Sequence, residues 1–327
     1  MPPEFRLSIV IPTHHRVDLL DRCLASVTSY APDSAEIIVV DDASPEGMAS
    51  KAASAHPGVR VERLARRSGF CIAANRGIRA ARGTIIEILN DDTEVTPGWA
   101  EAALAAFRDP SVAAVAPLVL CHPDRCNPSD ESEPVVDSAG DRYYVGGVAR
   151  KRGHGRRLDR ALLNRSRVFG ASASSAFFRR DALLEVGAFP EEFGAYFEDV
   201  DLCFRLHRAG YGVVFEPESR VLHRMSSSYG RHSRRLLEQQ SRNEERVFWR
   251  NLPAATLVAA LPRHTAVLTG KALRRCREGT FLPFLFGRLR LLGEVSDIRR
   301  HRRRLSRQFP HADPSTWHVE LEYSRVN

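Results

Sequence analysis

Alternating strands and helices, with acidic residues where strands end, predict an α/β fold: a mostly parallel mixed sheet flanked by helices, with a C-terminal helical extension. Three observations carry this. Short apolar runs of strand length recur between stretches with helical periodicity. Asp41-Asp42 closes the run at 37–40 and Asn90-Asp91-Asp92 closes that at 85–89, so carboxylates gather at strand carboxyl ends, where open α/β sheets bind ligands. The charge also divides. Residues 231–327 carry 20 Lys and Arg against 9 Asp and Glu, whereas residues 1–230 carry 28 against 31.

The elements follow in order. Residues 7–11 read as a buried strand, and 17–29 as a helix with Leu20, Cys23, Leu24 and Val27 on one face. Residues 36–40 and 59–64 are the next strands, the latter alternating with period two. A helix over 72–81 is stopped near Gly83 and followed by a strand over 84–89; Pro97 then starts a helix reaching about 108. Residues 112–119 are another apolar strand. From 121 to 167 the pattern dissolves into Pro, Asp, Ser, Gly and Arg, the composition of a functional loop. Order returns over 168–178, a helix over 181–186 ends at Gly187, and Glu198-Asp199-Val200-Asp201 opens a helical stretch that continues over 202–209 before a strand at 213–216. Beyond 233 the chain reads helical, with Pro253, Pro262 and Pro283 as breaks. Two domains are expected: a near-neutral unit over 1–230 and a basic helical extension over 231–327.

Composition narrows the function classes. At 327 residues and 43% hydrophobic, the chain can bury a sizeable core. No apolar run approaches the ~20 residues that span a bilayer, and no leader is apparent, so the expected location is cytoplasmic. The six cysteines are scattered, as for reduced, buried thiols. Leu285, Leu289, Leu292, Val295 and Ile298 recur at helical spacing before a run of five arginines and one histidine at 299–304. Such a segment can lie at the inner face of the cell membrane, or pack its apolar stripe on the main domain. It lacks the interleaved aromatics of a nucleic-acid surface, so no nucleic-acid partner is expected.

The acidic groups carry the chemistry. Carboxylates gathered without matching cations repel one another, which points to a metal and a polar ligand. Pro12-Thr13 and Arg16 follow the first strand beside Asp41-Asp42; a carboxylate there can accept from a base or ribose, while Arg16 faces phosphate. No Gly-x-Gly-x-x-Gly follows that strand, which weighs against a dinucleotide fold, and no phosphate-binding Gly-Lys loop is present. Asp91 and Asp92 can divide their work between a ribose hydroxyl and a divalent cation. Taken alone, the first group is a turn, the second a helix cap, and Glu198 and Asp199 are helix N-terminal acids.

Five motifs occur in order: Ser8-Ile9-Val10-Ile11-Pro12-Thr13, Val39-Val40-Asp41-Asp42-Ala43-Ser44, Ala74-Asn75-Arg76-Gly77-Ile78, Leu89-Asn90-Asp91-Asp92-Thr93 and the acidic stretch from Tyr196 to Arg205. Over about 6–225 the chain resembles family 2 glycosyltransferases of the GT-A (Rossmann-like) fold, particularly their rhamnosyltransferase-like branch. The resemblance implies an inverting, metal-dependent hexosyltransferase that moves a sugar from a UDP- or dTDP-sugar to a glycan or lipid-linked acceptor, in cell-wall or polysaccharide biosynthesis. It assigns Pro12, Thr13, Arg16, Asp41, Asp42, Asn75 and Asp91 to the donor. It gives Asp92 and His223 to a manganese or magnesium ion, and Asp199, with Glu198, to catalysis. His223 alone is equally a core histidine. Asn90 departs from the family's first aspartate, Arg67-Ser68-Gly69 from its Asn-x-Gly, and Ala74 from an arginine. The alternative is a non-catalytic sugar-nucleotide or glycan-binding module of the same fold.

Overall fold

The computed structural model describes residues 6–126, 134–225 and 233–322. In the first half, strands β1 (Leu7–Thr13), β2 (Glu36–Asp41), β3 (Val59–Arg63), β4 (Ile85–Leu89), β5 (Thr93–Val95) and β6 (Val112–Cys121) alternate with helices α1 (Val17–Tyr30), α2 (Met48–Ser54), α3 (Phe70–Ala80) and α4 (Trp99–Ala106). Then come the short helix α5 (Pro123–Cys126), strands β7 (Val136–Ser138), β8 (Asp141–Tyr144), β9 (Val148–Lys151), β10 (Ser166–Val168) and β11 (Ser175–Arg179), helices α6 (Arg180–Glu185) and α7 (Glu198–Arg208), and the long strand β12 (Gly212–His223). Helices α8 (Arg234–Asn251), α9 (Ala254–Arg277), α10 (Phe281–Leu291) and α11 (Val295–Gln308) and strand β13 (Val319–Glu320) complete the chain.

The mixed sheet expected from the sequence is present, in the order β10-β12-β6-β11-β4-β1-β2-β3, with β5 on β12 and β7 on β6. Strands β3, β2, β1 and β4 run parallel. Strand β11 is antiparallel to both β4 and β6, which returns β6 and its parallel neighbour β12 to the direction of β4. The carboxyl ends of β1, β2, β4 and β12 therefore share one edge. Alternation along the strands divides the core. Ile9 and Ile11 pack under α1 and α4, whereas Val10, Ile38 and Val40 pack under α3 and α7. The predicted α1 face of Leu20, Cys23, Leu24 and Val27 is fully buried. Helix α3 lies so close to the sheet that a Cβ on Gly77 would fall 2.2 Å from Val10 Cγ1.

Two expectations are corrected and one open alternative is narrowed. Residues 121–167 contain strands β7 to β9, with β8 and β9 joining β13 in a second sheet; elements of three or four residues are too short to show a period. Pro262 lies on the exposed side of an uninterrupted α9, and Pro283 occupies the first turn of α10, where an N–H has no intrahelical partner. The Leu289, Leu292 and Val295 stripe faces solvent; Phe284, Gly287 and Leu291 are the residues that α10 buries.

Candidate active site

At the shared edge lies a cavity of about 560 Å³, lined by residues from eight segments of the chain. One wall, the side assigned to the donor by the resemblance, comes from the carboxyl ends of β1, β2 and β4. Thr13 Oγ1 donates to Asp91 Oδ2 at 2.7 Å, and Arg16 Nη1 donates to Asp92 Oδ2 at 3.0 Å. Asp42 turns its carboxylate toward α3, where it accepts from Ser68 N at 2.6 Å and Gly69 N at 2.8 Å. Burial raises the Asp91 pKa to about 6, against the pull of Arg16.

Strand pairing brings in His223. Because β5 runs antiparallel to β12, Thr93 sits opposite His223 and Arg224 N donates to Asp92 O at 2.9 Å. His223 Nε2 then lies 3.2 Å from Asp92 Oδ1, while Nδ1 lies 2.9 Å from Asp137 Oδ2. Burial opposes a charge on the ring, but the hydrogen bonds that Asp137 and Asp92 accept from it outweigh this and the His223 pKa is raised. Asp137 is 1% exposed. Burial works against its charge too, yet His154, His223 and Lys151 hold its carboxyl well below the usual range. Lys151 Nζ stands 2.9 Å from Asp137 Oδ2. A carboxylate behind a histidine fixes which ring nitrogen faces forward, so Asp137 aims Nε2 at Asp92.

The opposite wall is built by α7. Tyr196 and Phe197, at φ 71° and 68°, hold the left-handed conformation just before Glu198, a costly geometry that persists only where its surroundings impose it. Here α8 imposes it: Asn243 Nδ2 donates to the carbonyls of Phe193, Ala195 and Tyr196 at 2.9–3.0 Å. Asp199 Oδ2 accepts from Ala173 N at 3.0 Å and Oδ1 from Val200 N at 2.8 Å. Burial raises its pKa although these N–H groups favour the anion. Glu198 is buried, with Oε2 lacking a partner among the described residues; burial and then Asp199 push its pKa well up. Asp141, on β8, is raised to about 8 by burial and then by Asp199.

The cavity thus gathers Pro12, Thr13, Arg16, Asp42, Asp91, Asp92, His223, Glu198 and Asp199. It does not gather Asp41 or Asn75. Asp41 is fully buried and holds the turn after β2, accepting from Ser44 N at 2.6 Å, from Ser44 Oγ at 2.9 Å, and from the Ser50 hydroxyl. Asn75 clamps Phe189, donating to its carbonyl at 2.8 Å and accepting from its N–H at 3.0 Å. Sequence reasoning missed Asp137, Asp141 and Lys151, which lie in the stretch without periodicity; only their chemistry within a polar loop could have marked them.

Among the described residues, no three His, Cys, Asp or Glu side chains form a ready metal cage. Asp92 and His223 provide two donors, a hard oxygen and an oriented imidazole nitrogen. Magnesium-type sites commonly take one or two protein ligands and complete their shell with substrate phosphates and water, so this pair fits such an ion.

Residues 8–187 match the sequence profile described as Glycosyl transferase family 2. The N-acetylglucosaminyl-diphospho-decaprenol L-rhamnosyltransferase of Mycobacterium tuberculosis strain H37Rv is 27% identical over 294 residues, spanning 83% of this chain and 95% of that protein. The pre-mycofactocin glycosyltransferase of the same strain is 29% identical over 225 residues, or 68% of this chain and 43% of that one. Among solved structures, the mannosyltransferase PcManGT from Pyrobaculum calidifontis, in complex with GDP-Man and Mn2+, superposes with a TM-score of 0.56 at 18% identity, covering 90% of this chain and 88% of that chain. GalNAc-T7 with UDP, GalNAc and Mn2+ gives 0.59 at 20% identity, over 74% of this chain and 47% of that chain. These likenesses establish the fold, and with the profile match they make this chain a member of glycosyltransferase family 2, an enzyme of GT-A fold related to the rhamnosyltransferase and mycofactocin-glycosyltransferase branch.

Proposed function

We propose that the protein is an inverting, metal-dependent hexosyltransferase that moves a sugar from a UDP- or dTDP-sugar to a glycan or lipid-linked acceptor. One observation carries this reading: the donor-side acids Asp42, Asp91 and Asp92 and the α7 acids Glu198 and Asp199 face a single cavity. The metal-bound relatives by fold and the rhamnosyltransferase relative, whose name describes a diphospho-decaprenol compound, support it.

In this reading Asp42 and Thr13 border the nucleoside pocket, with Pro12 shaping its wall. Arg16 and Asp91 meet the donor's polar groups. Asp41 and Asn75 hold the loops that carry these residues. Asp92 and His223 would hold Mn2+ or Mg2+, which when bound supplies positive charge to the departing diphosphate. Asp199 takes the proton of the acceptor hydroxyl as its oxygen attacks the anomeric carbon. The bond from that carbon to the diphosphate oxygen breaks with its electron pair leaving on the nucleoside diphosphate, and attack from the opposite side inverts the centre. Burial favours the protonated form of Glu198, a form that can donate to an acceptor oxygen without adding a second charge beside Asp199. Peripheral membrane contact through the basic extension is part of the same proposal.

The test is a panel of sugar nucleotides screened for Mn2+-dependent thermal stabilisation, followed by transfer assays with the stabilising donor. Stabilisation with neither hydrolysis nor transfer would favour a sugar-nucleotide-binding module instead.

A further inference from the structure

The helical extension exposes apolar surface where a folded domain has no use for it. Of the thirteen large hydrophobic side chains exposed among the described residues, eight lie between 258 and 295. They concentrate on α9 and α10. Helix α10 is apolar on two opposite sides. Phe284, Gly287 and Leu291 are buried, whereas Leu282, Phe286 and Leu289 are 56, 40 and 47% exposed. A helix apolar all round belongs in an apolar environment on every side.

Helix α9 repeats the pattern. His264 faces inward, stacked 3.6 Å from Phe248 and 2.9 Å from Glu245 Oε1. Outward, Ala255, Val258, Pro262, Thr265, Thr269 and Leu273 follow one another at helical spacing, all exposed and none charged.

Both helices dock on the same side of α8. Helix α9 meets Glu244, Glu245 and Phe248. Helix α10 meets Ser241, Glu244 and Glu245, and approaches so closely that a Cβ on Gly287 would fall 2.3 Å from Glu238 O. Their outward sides lie away from these α8 contacts, although the Phe286 ring also meets the guanidinium of Arg234, at the start of α8, 5.5 Å from its centroid. The same two helices carry exposed arginines, Arg263, Arg274, Arg277 and Arg290.

We infer that the outward surface of α9 and α10 lies on an anionic lipid bilayer, its apolar side chains entering the headgroup boundary and its arginines meeting lipid phosphates. Among the described residues no helix is long and apolar enough to cross a membrane, so the proposed contact is at the surface. Charge selects this occupant. A second copy would set two extensions of 20 Lys and Arg against 9 Asp and Glu face to face, whereas an anionic leaflet neutralises them. The inference rests on the proposed lipid-linked acceptor, whose reactive end such a leaflet would present, and it replaces the arginine run at 299–304 as the main contact.

The experiment is flotation of the full chain with phosphatidylcholine vesicles, with and without phosphatidylglycerol. The wild type is expected to float with the anionic vesicles. The triple variant Leu282→Glu, Phe286→Glu and Leu289→Glu is expected to lose about tenfold or more in partitioning, as is the double variant Val258→Glu and Leu273→Glu. All five positions are exposed, and circular dichroism confirms folding. A wild type that stays in solution with anionic vesicles, or variants that float as well as it does, overturns the inference. So does light scattering that shows a wild-type dimer split by these substitutions. Metal-dependent donor hydrolysis, measured without vesicles, separates the two readings: its loss in the wild type would sink the transfer reading while leaving the flotation result standing.

Discussion

The two acidic walls of the cavity contain the same chemical groups but give them different partners, although burial raises Asp91 on the first wall to about 6 as well. On the donor side, Asp92 meets Arg16 and His223, and Asp137 meets Lys151, His154 and His223. On the α7 side, Glu198, Asp199 and Asp141 are buried with no cation in hydrogen-bonding contact among the described residues, and all three have raised pKa values. Paired carboxylates stay ionised and can hold a cation; unpaired buried ones hold or exchange protons near neutral pH. In the proposed mechanism one cavity would separate charge stabilisation from proton transfer by the partners it supplies. Glu87 is the instructive contrast. Burial raises it to about 8, yet it sits in the core, accepting from Trp99 Nε1 at 3.2 Å and Ser175 Oγ at 3.0 Å, and does not line this cavity. A raised pKa marks a working acid or base only where substrate can reach it.

The sharpest break is Asp199→Asn. It should lower kcat by about a thousandfold while leaving donor affinity by calorimetry nearly intact; unchanged turnover would remove Asp199 as the base. Next, Asp92→Ala should make donor affinity in Mn2+ equal to that in EDTA, and a surviving metal dependence would move the ion elsewhere. Asp137→Asn should weaken Mn2+ affinity by about tenfold, read by the spin-resonance signal of free Mn2+ with no donor present. A variant that binds Mn2+ as the wild type does would reduce Asp137 to scaffolding.

Smaller effects follow with pH. The base must be ionised, so the acid limb of kcat/KM should lie above the ordinary aspartate range, in the direction that burial moves Asp199; a limb at the ordinary value would contradict the buried-base assignment. Glu87 should affect stability alone. Its folded pKa of about 8 exceeds the ordinary 4.5, so the native state keeps a proton that the unfolded chain has lost. The stabilisation is complete below pH 4.5 and disappears as pH rises toward 8, a span worth on the order of a few kcal/mol. Glu87→Gln should flatten the fall in Tm across that window and leave transfer unchanged.

The strands at 7–11, 36–40 and 85–89 and the Asp41-Asp42 and Asn90-Asp91-Asp92 groups were legible because long apolar runs and adjacent acids stand out in one dimension. Asp137, Asp141 and Lys151 were not, since their strands are three or four residues long. The extension was legible as basic and helical, but not which apolar stripe turns inward. Leu289 and Leu291 are equally hydrophobic, and only contact with α8 separates their fates. Nor could sequence show that Asn243, within the extension, pins the strained Tyr196–Phe197 turn ahead of the proposed base.

By itself, then, the chain's local pattern determined the α/β class, the sheet edge at which acids collect, and the basic character of the last hundred or so residues, because propensity and periodicity act between near neighbours. Tertiary structure alone decided that Asp41 turns into its own loop, that Asp137 stands behind His223, and that Glu198 and Asp199, unlike Asp201, have no cation in hydrogen-bonding contact among the described residues. Each of these depends on which distant segment arrives alongside, and burial and charge pairing take effect only once it has.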